Sequence, residues 1–327
     1  MDKSILLELL ENASKAYYGG KDLLLSDDQY DRLSDMVKHE TVGAKLKDNT
    51  KRHVFPMYSL RKHYENEGGL PPPLDKFENT SHLVKTPKLD GAAIELTYIN
   101  GMFAYATTRG DGDVGQLITD KISTIKGIPP LNTVPFKGQN IIQVSGEVVV
   151  AKEVSNSRNY VSGALALKSL DEFNSRDEDL HFYAYGVQPA LEETYHNDLC
   201  KLATLGFETV FTVDESKYRA DGKVFRINNN KYFNSLGCTA HHPRGAIAVK
   251  QRKSGIFTTL RNVVWQVGKS GRVTPVAILD PVVIDDATIT KATLNNVAFI
   301  KALDLHIGDE VEVIRSGDII PCIVSKR

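Results

Sequence analysis

Lys88-Leu89-Asp90-Gly91 sets a lysine just ahead of a strand, where its amine can be presented to a phosphate. An amine attacks through a free lone pair, and a lysine surrenders its proton only near pH ~10.4 unless nearby cations and partial desolvation favour the neutral form. Thr108-Arg109-Gly110-Asp111-Gly112, with Gly115 beyond, flanks an arginine with glycines. The backbone can then approach a ligand closely while the guanidinium reaches it. Gly146-Glu147 ends the apolar run Ile141 to Val150. A carboxylate there must find an arginine, a ligand hydroxyl or metal-bound water. Asp221-Gly222-Lys223-Val224-Phe225-Arg226 and Ala246-Ile247-Ala248-Val249-Lys250 each send a basic residue out of a short strand. Each string alone also reads plainly, as a surface lysine, a tight loop, a buried salt bridge or a solvated strand end.

The elements that must position these residues change character along the chain. Residues 1 to about 50 read as helical, with Ile5, Leu6, Leu9, Leu10 and Ala13 at helical spacing and Ser26 capping a second helix with Leu33, Met36 and Val37 on one face. Asn66 to Leu74, with two glycines and three successive prolines, reads as a loop. From about Leu83, β-rich runs alternate with turns: Ala92 to Tyr98, Gly101 to Thr107, Ile141 to Val150, Phe182 to Val187 and Lys223 to Ile227. Interspersed helices make this an α+β domain on antiparallel sheet. Short strands at Arg261 to Val267, Val273 to Leu279, Thr288 to Ala292 and Glu310 to Arg315 suggest a small β-barrel. The domains expected are 1–50, 51–252 and 253–327.

A hydrophobic fraction of 41% and a charged fraction of 25% are those of a globular protein, and no apolar run reaches membrane-span length. The N-terminus lacks the basic start and cleavage site of a signal peptide. Three distant cysteines, Cys200, Cys238 and Cys322, support neither a disulfide framework nor a zinc site, so a reducing cytoplasm is the expected compartment. The net charge of -1 conceals an asymmetry. Gly222 to Leu279 holds no Asp or Glu, yet carries Lys223, Arg226, Lys231, Arg244, Lys250, Arg252, Lys253, Arg261, Lys269 and Arg272. Such a run is the footprint of a polyphosphate partner or else a solvated cationic face.

Taken in order, the five strings resemble the motifs of covalent nucleotidyltransferases, and most closely those of NAD-dependent DNA ligases. Arg158-Asn159, Pro243-Arg244, Gln266-Val267-Gly268, Thr274-Pro275-Val276-Ala277, Ala292-Thr293-Leu294, Ile307-Gly308-Asp309 and Gly317-Asp318 with Pro321 extend the resemblance over nearly the whole chain. Tyr17-Tyr18 and Ser26 to Asp31 look like the segment that binds the nicotinamide mononucleotide (NMN) half of NAD. Aromatic faces attract the cationic ring, and Asp27 and Asp31 lie one helical turn apart.

The resemblance implies a helical NMN-binding domain, an adenylation domain and an OB-fold barrel. It implies Lys88, with Asp90 and Lys250, as catalytic. Cofactor contacts fall to Tyr17, Tyr18, Asp27, Tyr30, Asp31, Ser59, Leu60, Thr86, Arg109, Glu147, Arg226 and Lys250. Glu147 and Asp221 would hold Mg²⁺ or Mn²⁺ through water. DNA contacts fall to Arg158, Arg252, Lys253, Arg261, Lys269, Arg272 and Arg315. The expected reaction adenylates Lys88 from NAD and passes AMP to the 5′-phosphate of nicked duplex DNA, in replication and repair. An ATP- or GTP-using RNA ligase or capping enzyme, and a decayed nick-binding module, are the alternatives. Tyr17 to Asp31 speaks against the first, and retention of Lys88, Asp90, Arg109, Glu147 and Lys250 against the second.

Three spellings depart from the family: Thr86 for a glutamate, Arg226 for a lysine, and Ala166 for an arginine that Lys168 could replace. The departures suggest a bacteriophage member. The stop at Arg327 suggests a partial barrel lacking its last strand, with an open edge. A second subunit would then carry the zinc, helix-hairpin-helix and BRCT modules, no zinc being expected in this chain. A truncated longer chain is the rival explanation.

Overall fold

The computed structural model describes residues 3–18, 24–37, 49–130, 136, 140–154, 156–176, 179–240, 242–251, 255–267, 273–284, 287–316 and 320–327. The chain divides into two compact units, Val42–Arg252 and a second made of Met1–Thr41 with Lys253–Arg327.

Two helices open the chain, α1 (Lys3–Tyr18) and α2 (Asp27–Val37). Leu6, Leu9, Leu10 and Ala13 on α1, and Leu33 and Val37 on α2, are buried at the three-and-four spacing of a single helix face. Ser26 caps α2 as expected. The Gln29 N–H donates to Ser26 Oγ at 3.3 Å and the Ser26 N–H to Gln29 Oε1 at 3.0 Å, a reciprocal capping box.

Val42–Arg252 is built on two four-stranded sheets. One is ordered β2 (Arg61–Tyr64), β10 (Ala246–Lys250), β9 (Ala220–Ile227), β3 (Leu83–Leu89), with β2 and β10 parallel. The other is antiparallel, ordered β5 (Met102–Thr108), β4 (Ala92–Ile99), β7 (Ile141–Val149), β8 (His181–Gln188). A ribbon pairs β1 (Thr50–Arg52) with β6 (Val114–Gln116). Helices α3 (Ser157–Ala166), α4 (Leu170–Asn174) and α5 (Tyr195–Thr204) contribute Val161, Phe173 and Leu199 to one core with Ile94, Leu96, Val144 and Phe182 of the second sheet. A short helix, α6 (Asn230–Leu236), follows β9.

The other unit holds a closed barrel ordered β11 (Ile256–Val267), β12 (Val273–Ile284), β13 (Ala287–Thr293), β15 (Ile320–Lys326), β14 (Glu310–Ser316). Helix α7 (Val297–Leu303) lies between β13 and β14 in sequence. Leu260, Ala277, Phe299, Val313 and Ile323 share one core with the buried leucines of α1 and α2. Polar contacts reinforce this packing: Gln29 Nε2 donates to the Ile323 carbonyl at 3.0 Å, and Asn296 Nδ2 to the Leu24 carbonyl at 3.0 Å.

The expectation of an unfinished barrel with an open edge is corrected. β15 pairs antiparallel with β14 over Val311 to Ser316, and Thr293 of β13 pairs with Cys322. The expectation rested on the stop at Arg327, yet the residues before it form the closing strand, and Pro321 is accommodated within it. Here it sits second in β15, opposite Arg315.

Candidate active site

The segment Lys88–Gly91 is the crossing from one sheet to the other, at the end of β3 and before β4. Lys88 lies inside β3, and the segment precedes β4 as expected. The β3–β9 register shifts between Pro87 and Leu89, which frees Lys88 from regular pairing. Its Nζ meets Asp221 Oδ1 at 2.8 Å, and Lys250 Nζ meets Asp221 Oδ2 at 2.8 Å. One carboxylate thus bridges two ammonium groups from the ends of three neighbouring strands. Burial works to raise the Asp221 pKa, but Lys88 and Lys250 hold it well below the usual carboxylate range. Asp90 is tied at its backbone to the Arg219 carbonyl, 2.9 Å, and its carboxylate lies 3.6 Å from Arg158 Nη1 on α3.

Glu147 faces this group from β7. Its Oε1 accepts the Gly91 N–H at 3.2 Å. A side chain at Gly91 would put its Cβ 2.0 Å from the Val148 carbonyl oxygen, so only glycine permits this approach. Burial pushes the Glu147 carboxyl up to about 7, against the pull of Lys88, Arg158 and Arg109, while Asp90 adds to the rise. Arg109 follows β5, its N–H donating to the Ala93 carbonyl at 2.9 Å. Tyr185 on β8 was missed from the sequence. Burial and the Glu147 charge push its phenol upward while Arg109 opposes them, so its ring shares the field of both.

Thr86 is buried on β3 opposite Val224. Its hydroxyl bonds Tyr195, whose phenol burial pushes up to about 12 against the pull of Arg226 and Thr86. Tyr195 in turn donates to the Tyr185 carbonyl at 2.9 Å. Arg226 is stacked between Tyr195 and Phe233, 4.0 and 4.1 Å from the ring centroids, and its Nη2 donates to Asn230 Oδ1 at 3.0 Å. Thr86, Arg226, Tyr195 and Tyr185 therefore form one contiguous group beside Lys88. Ser59 Oγ lies 3.0 Å from His242 Nδ1, and Leu60 is half-buried next to it.

Other expected residues belong to the helix–barrel unit or lie outside the described residues. Tyr30 is half-buried against the core shared by helices and barrel, and Asp31 is half-buried next to it on α2. Tyr17 and Tyr18 end α1 and Asp27 starts α2, but their side chains lie outside the described residues, as do Arg252, Lys253, Lys269 and Arg272. Arg261 forms a two-pronged pair with Asp280, 2.9 and 2.6 Å, and Arg315 lies on β14. The acid-free run of the sequence is thus partly neutralised in space: Lys250 by Asp221, Arg261 by Asp280. Arg244 donates to the Leu236 and Cys238 carbonyls, 3.1 and 2.8 Å, at the end of α6.

The family model described as NAD-dependent DNA ligase adenylation domain matches residues 46–155, and the one described as NAD-dependent DNA ligase OB-fold domain matches residues 257–327. A DNA ligase of Aquifex aeolicus is 31% identical, over 98% of this chain and 53% of its own length. Those of Campylobacter lari and Acinetobacter baumannii are 32% and 30% identical, over 97% of this chain and 56% of their own length. This chain belongs to the NAD-dependent DNA ligase family and carries its adenylation and OB-fold domains. It spans about half the length of the curated relatives it matches.

Proposed function

We propose that the chain adenylates itself from NAD at Lys88 and passes the AMP to the 5′-phosphate of a DNA nick. The observation that carries this reading is the pair of 2.8 Å contacts joining Lys88 and Lys250 through Asp221. Lys88 Nζ, after losing a proton, forms a bond to the α-phosphorus of NAD as the bond to the NMN phosphate breaks. The 5′-phosphate oxygen of the nick then displaces lysine, and the 3′-hydroxyl displaces AMP. Phosphoryl transfer depends mainly on in-line positioning and charge neutralisation. Before Lys88 gives up its proton to solvent, Asp221 cancels one of the two lysine charges; once Lys88 is neutral for attack, Asp221 balances Lys250.

In this reading residues 1–50 serve NMN, through Tyr17, Tyr18, Asp27, Tyr30 and Asp31. Residues 51–252 hold AMP: Arg109 and Glu147 at the ribose, Thr86, Ser59, Leu60 and Arg226 towards the base, Asp90 and Lys250 at the reacting phosphate. Residues 253–327, with Arg158 and Arg252, serve the DNA through Lys253, Arg261, Lys269, Arg272 and Arg315. Among the described residues no three His, Cys, Asp or Glu side chains gather as a metal-binding group. Mg²⁺ needs only one or two carboxylates when waters and substrate phosphates complete its shell. Glu147, with Asp221 reached through water, fits that sparse set. Bound there, Mg²⁺ would neutralise developing phosphate charge.

The test is mass spectrometry of the chain after incubation with NAD and Mg²⁺. A gain of one AMP on Lys88 is expected, and labelling by ATP as strong as by NAD would favour the ATP-using alternative. No helix among the described residues is long and apolar enough to cross a membrane. We place the reaction in the cytoplasm, the host's if a bacteriophage encodes the chain. We also propose that sealing at physiological salt draws on a second polypeptide carrying the zinc and helix-hairpin-helix modules. Efficient multiple-turnover sealing by this chain alone would remove that partner.

A further inference from the structure

Beneath the Arg109 turn lies a charged pair for which the chemistry above has no use. His53 Nδ1 meets Glu95 Oε1 at 2.8 Å, and both side chains are fully buried. Thr107 Oγ1 donates to the same carboxylate oxygen at 3.0 Å. The other oxygen, Glu95 Oε2, is buried and makes no hydrogen bond. A buried carboxylate with one oxygen unsatisfied is costly, so its retention calls for a reason.

The other nitrogen of the same ring supplies it. His53 Nε2 lies 2.9 Å from the Arg109 carbonyl oxygen. A carbonyl and a carboxylate both accept hydrogen bonds and donate none. Imidazole donates from one nitrogen when neutral and from both only as imidazolium. With Glu95 ionised and Nε2 facing the carbonyl, this geometry favours the doubly protonated ring, and Glu95 supplies its counter-charge. The segment carrying His53 is fastened to the same turn by its backbone. The His53 N–H donates to the Asp113 carbonyl at 2.9 Å, and the Met57 N–H to the Gly112 carbonyl at 2.8 Å. Within the turn, Gly110 at φ 57° could carry no side chain, since its Cβ would fall 1.9 Å from the Val114 carbonyl oxygen. Asp111 Oδ1 accepts the N–H groups of Asp113 and Val114 at 3.0 and 2.8 Å. The Arg109 carbonyl is thus held from inside the turn by the Gly112 N–H, 3.0 Å, and from below by His53.

We propose that His53, kept as an imidazolium by Glu95, is a positioning residue that sets the Arg109 turn, so that affinity for the dinucleotide depends on its proton. The inference rests on the reading of Arg109 as a nucleotide contact. The groups facing His53 are Glu95 of β4, Thr107 of β5, and the Arg109 carbonyl and Asp111 of the turn; Arg52 beside it on β1 is exposed. Burial lowers the His53 pKa, but Glu95, the Arg109 carbonyl and Asp111 together hold it above the ordinary histidine value. The native ring is therefore charged below that raised value and loses a donor as pH rises through it.

The experiment measures self-adenylation of the full chain from pH 6 to 9, by AMP mass gain, separating maximal rate from half-saturating NAD. In wild type the half-saturating NAD should rise about tenfold on the alkaline side of the His53 titration, the scale of one lost charge-assisted hydrogen bond. Glu95→Gln, nearly the same shape, should move the break in NAD affinity to lower pH by about one unit or more. In an Arg109→Ala background Glu95→Gln should have no further effect on half-saturation. A break unmoved by Glu95→Gln, or an effect that persists without Arg109, would overturn the proposal. A wild-type profile flat in NAD affinity would overturn it without any variant, should Glu95→Gln fail to fold. Wild type that takes no AMP from NAD would overturn this proposal and the adenylation reading together.

Discussion

Buried polar groups do different work in the two units. In Val42–Arg252, His53, Glu95, Thr86 and Thr107 are buried, and the half-buried Lys88, Glu147, Asp221 and Lys250 gather at the crossing between the sheets. Charges in such surroundings persist only where partners compensate them. In the helix–barrel unit, buried Gln29 donates to the Ile323 carbonyl, and Thr258 Oγ1 donates to the Asp280 carbonyl at 2.8 Å. There the buried polar groups bond to backbone and fasten elements to one another. A polar interior marks chemistry where its charges converge on a crossing of the chain, and marks assembly where it meets main-chain carbonyls.

The sharpest way to break this contrast is at Lys88. Lys88→Ala should abolish the AMP mass gain, and continued labelling of the variant would place the chemistry elsewhere. Asp221→Asn comes next. It leaves two ammonium groups facing one another without the carboxylate that bridged them, and self-adenylation should fall about 100-fold, the scale of losing one preorganised electrostatic contact. A loss under threefold in single-turnover labelling would mean that the Asp221 bridge is structural.

The same contrast explains what the sequence made legible. Four of the five strings were readable because each sets a charged side chain beside a glycine, and the fold brings Lys88, Asp221, Lys250 and Glu147 together. Most strands of both units were visible as β-rich runs between turns. β3 was not seen, because Pro87 and Lys88 interrupt its apolar character, and β15 was discounted because the barrel was expected to lack its last strand. The seating of α1 and α2 on the barrel was also hidden. An amphipathic stripe shows that a helix buries one face but not what covers it. The Glu95 partner of His53 is 42 residues away along the chain, and only pairing of β1 with β6 and the adjoining turn brings them together.

A smaller effect tests whether helices and barrel are one body. Leu33 is fully buried in the core that both share. Leu33→Ala should cost about 2–5 kcal/mol of stability, the usual range for a buried leucine truncation. Because the core is shared, hydrogen exchange should quicken in β15 and α7 as well as in α1 and α2. Faster exchange confined to the two helices would separate them from the barrel and end the comparison in its present form.

The smallest effect concerns the ion pair that joins α2 to β14. Arg32 Nη1 lies 2.6 Å from Glu312 Oε2, with both side chains 14% exposed, and Ser325 Oγ donates to the same oxygen at 2.7 Å. Burial works to raise the Glu312 pKa, but Arg32, Ser325 and the Gly255 N–H hold it below the ordinary glutamate value. A carboxyl depressed in the native state favours folding above its unfolded pKa, roughly 4.3, and loses that contribution as pH falls through the native value. Arg32→Ala should therefore cost about 1–2 kcal/mol at pH 7, within the range for a hydrogen bond to a charged group. The penalty should shrink as the solution is acidified below pH ~4, because wild type then forfeits what the variant already lacks. Denaturant unfolding of both proteins at pH 7, 5 and 3.5 measures it. A penalty constant across that range would mean that Arg32 stabilises through its packed stem rather than its charge.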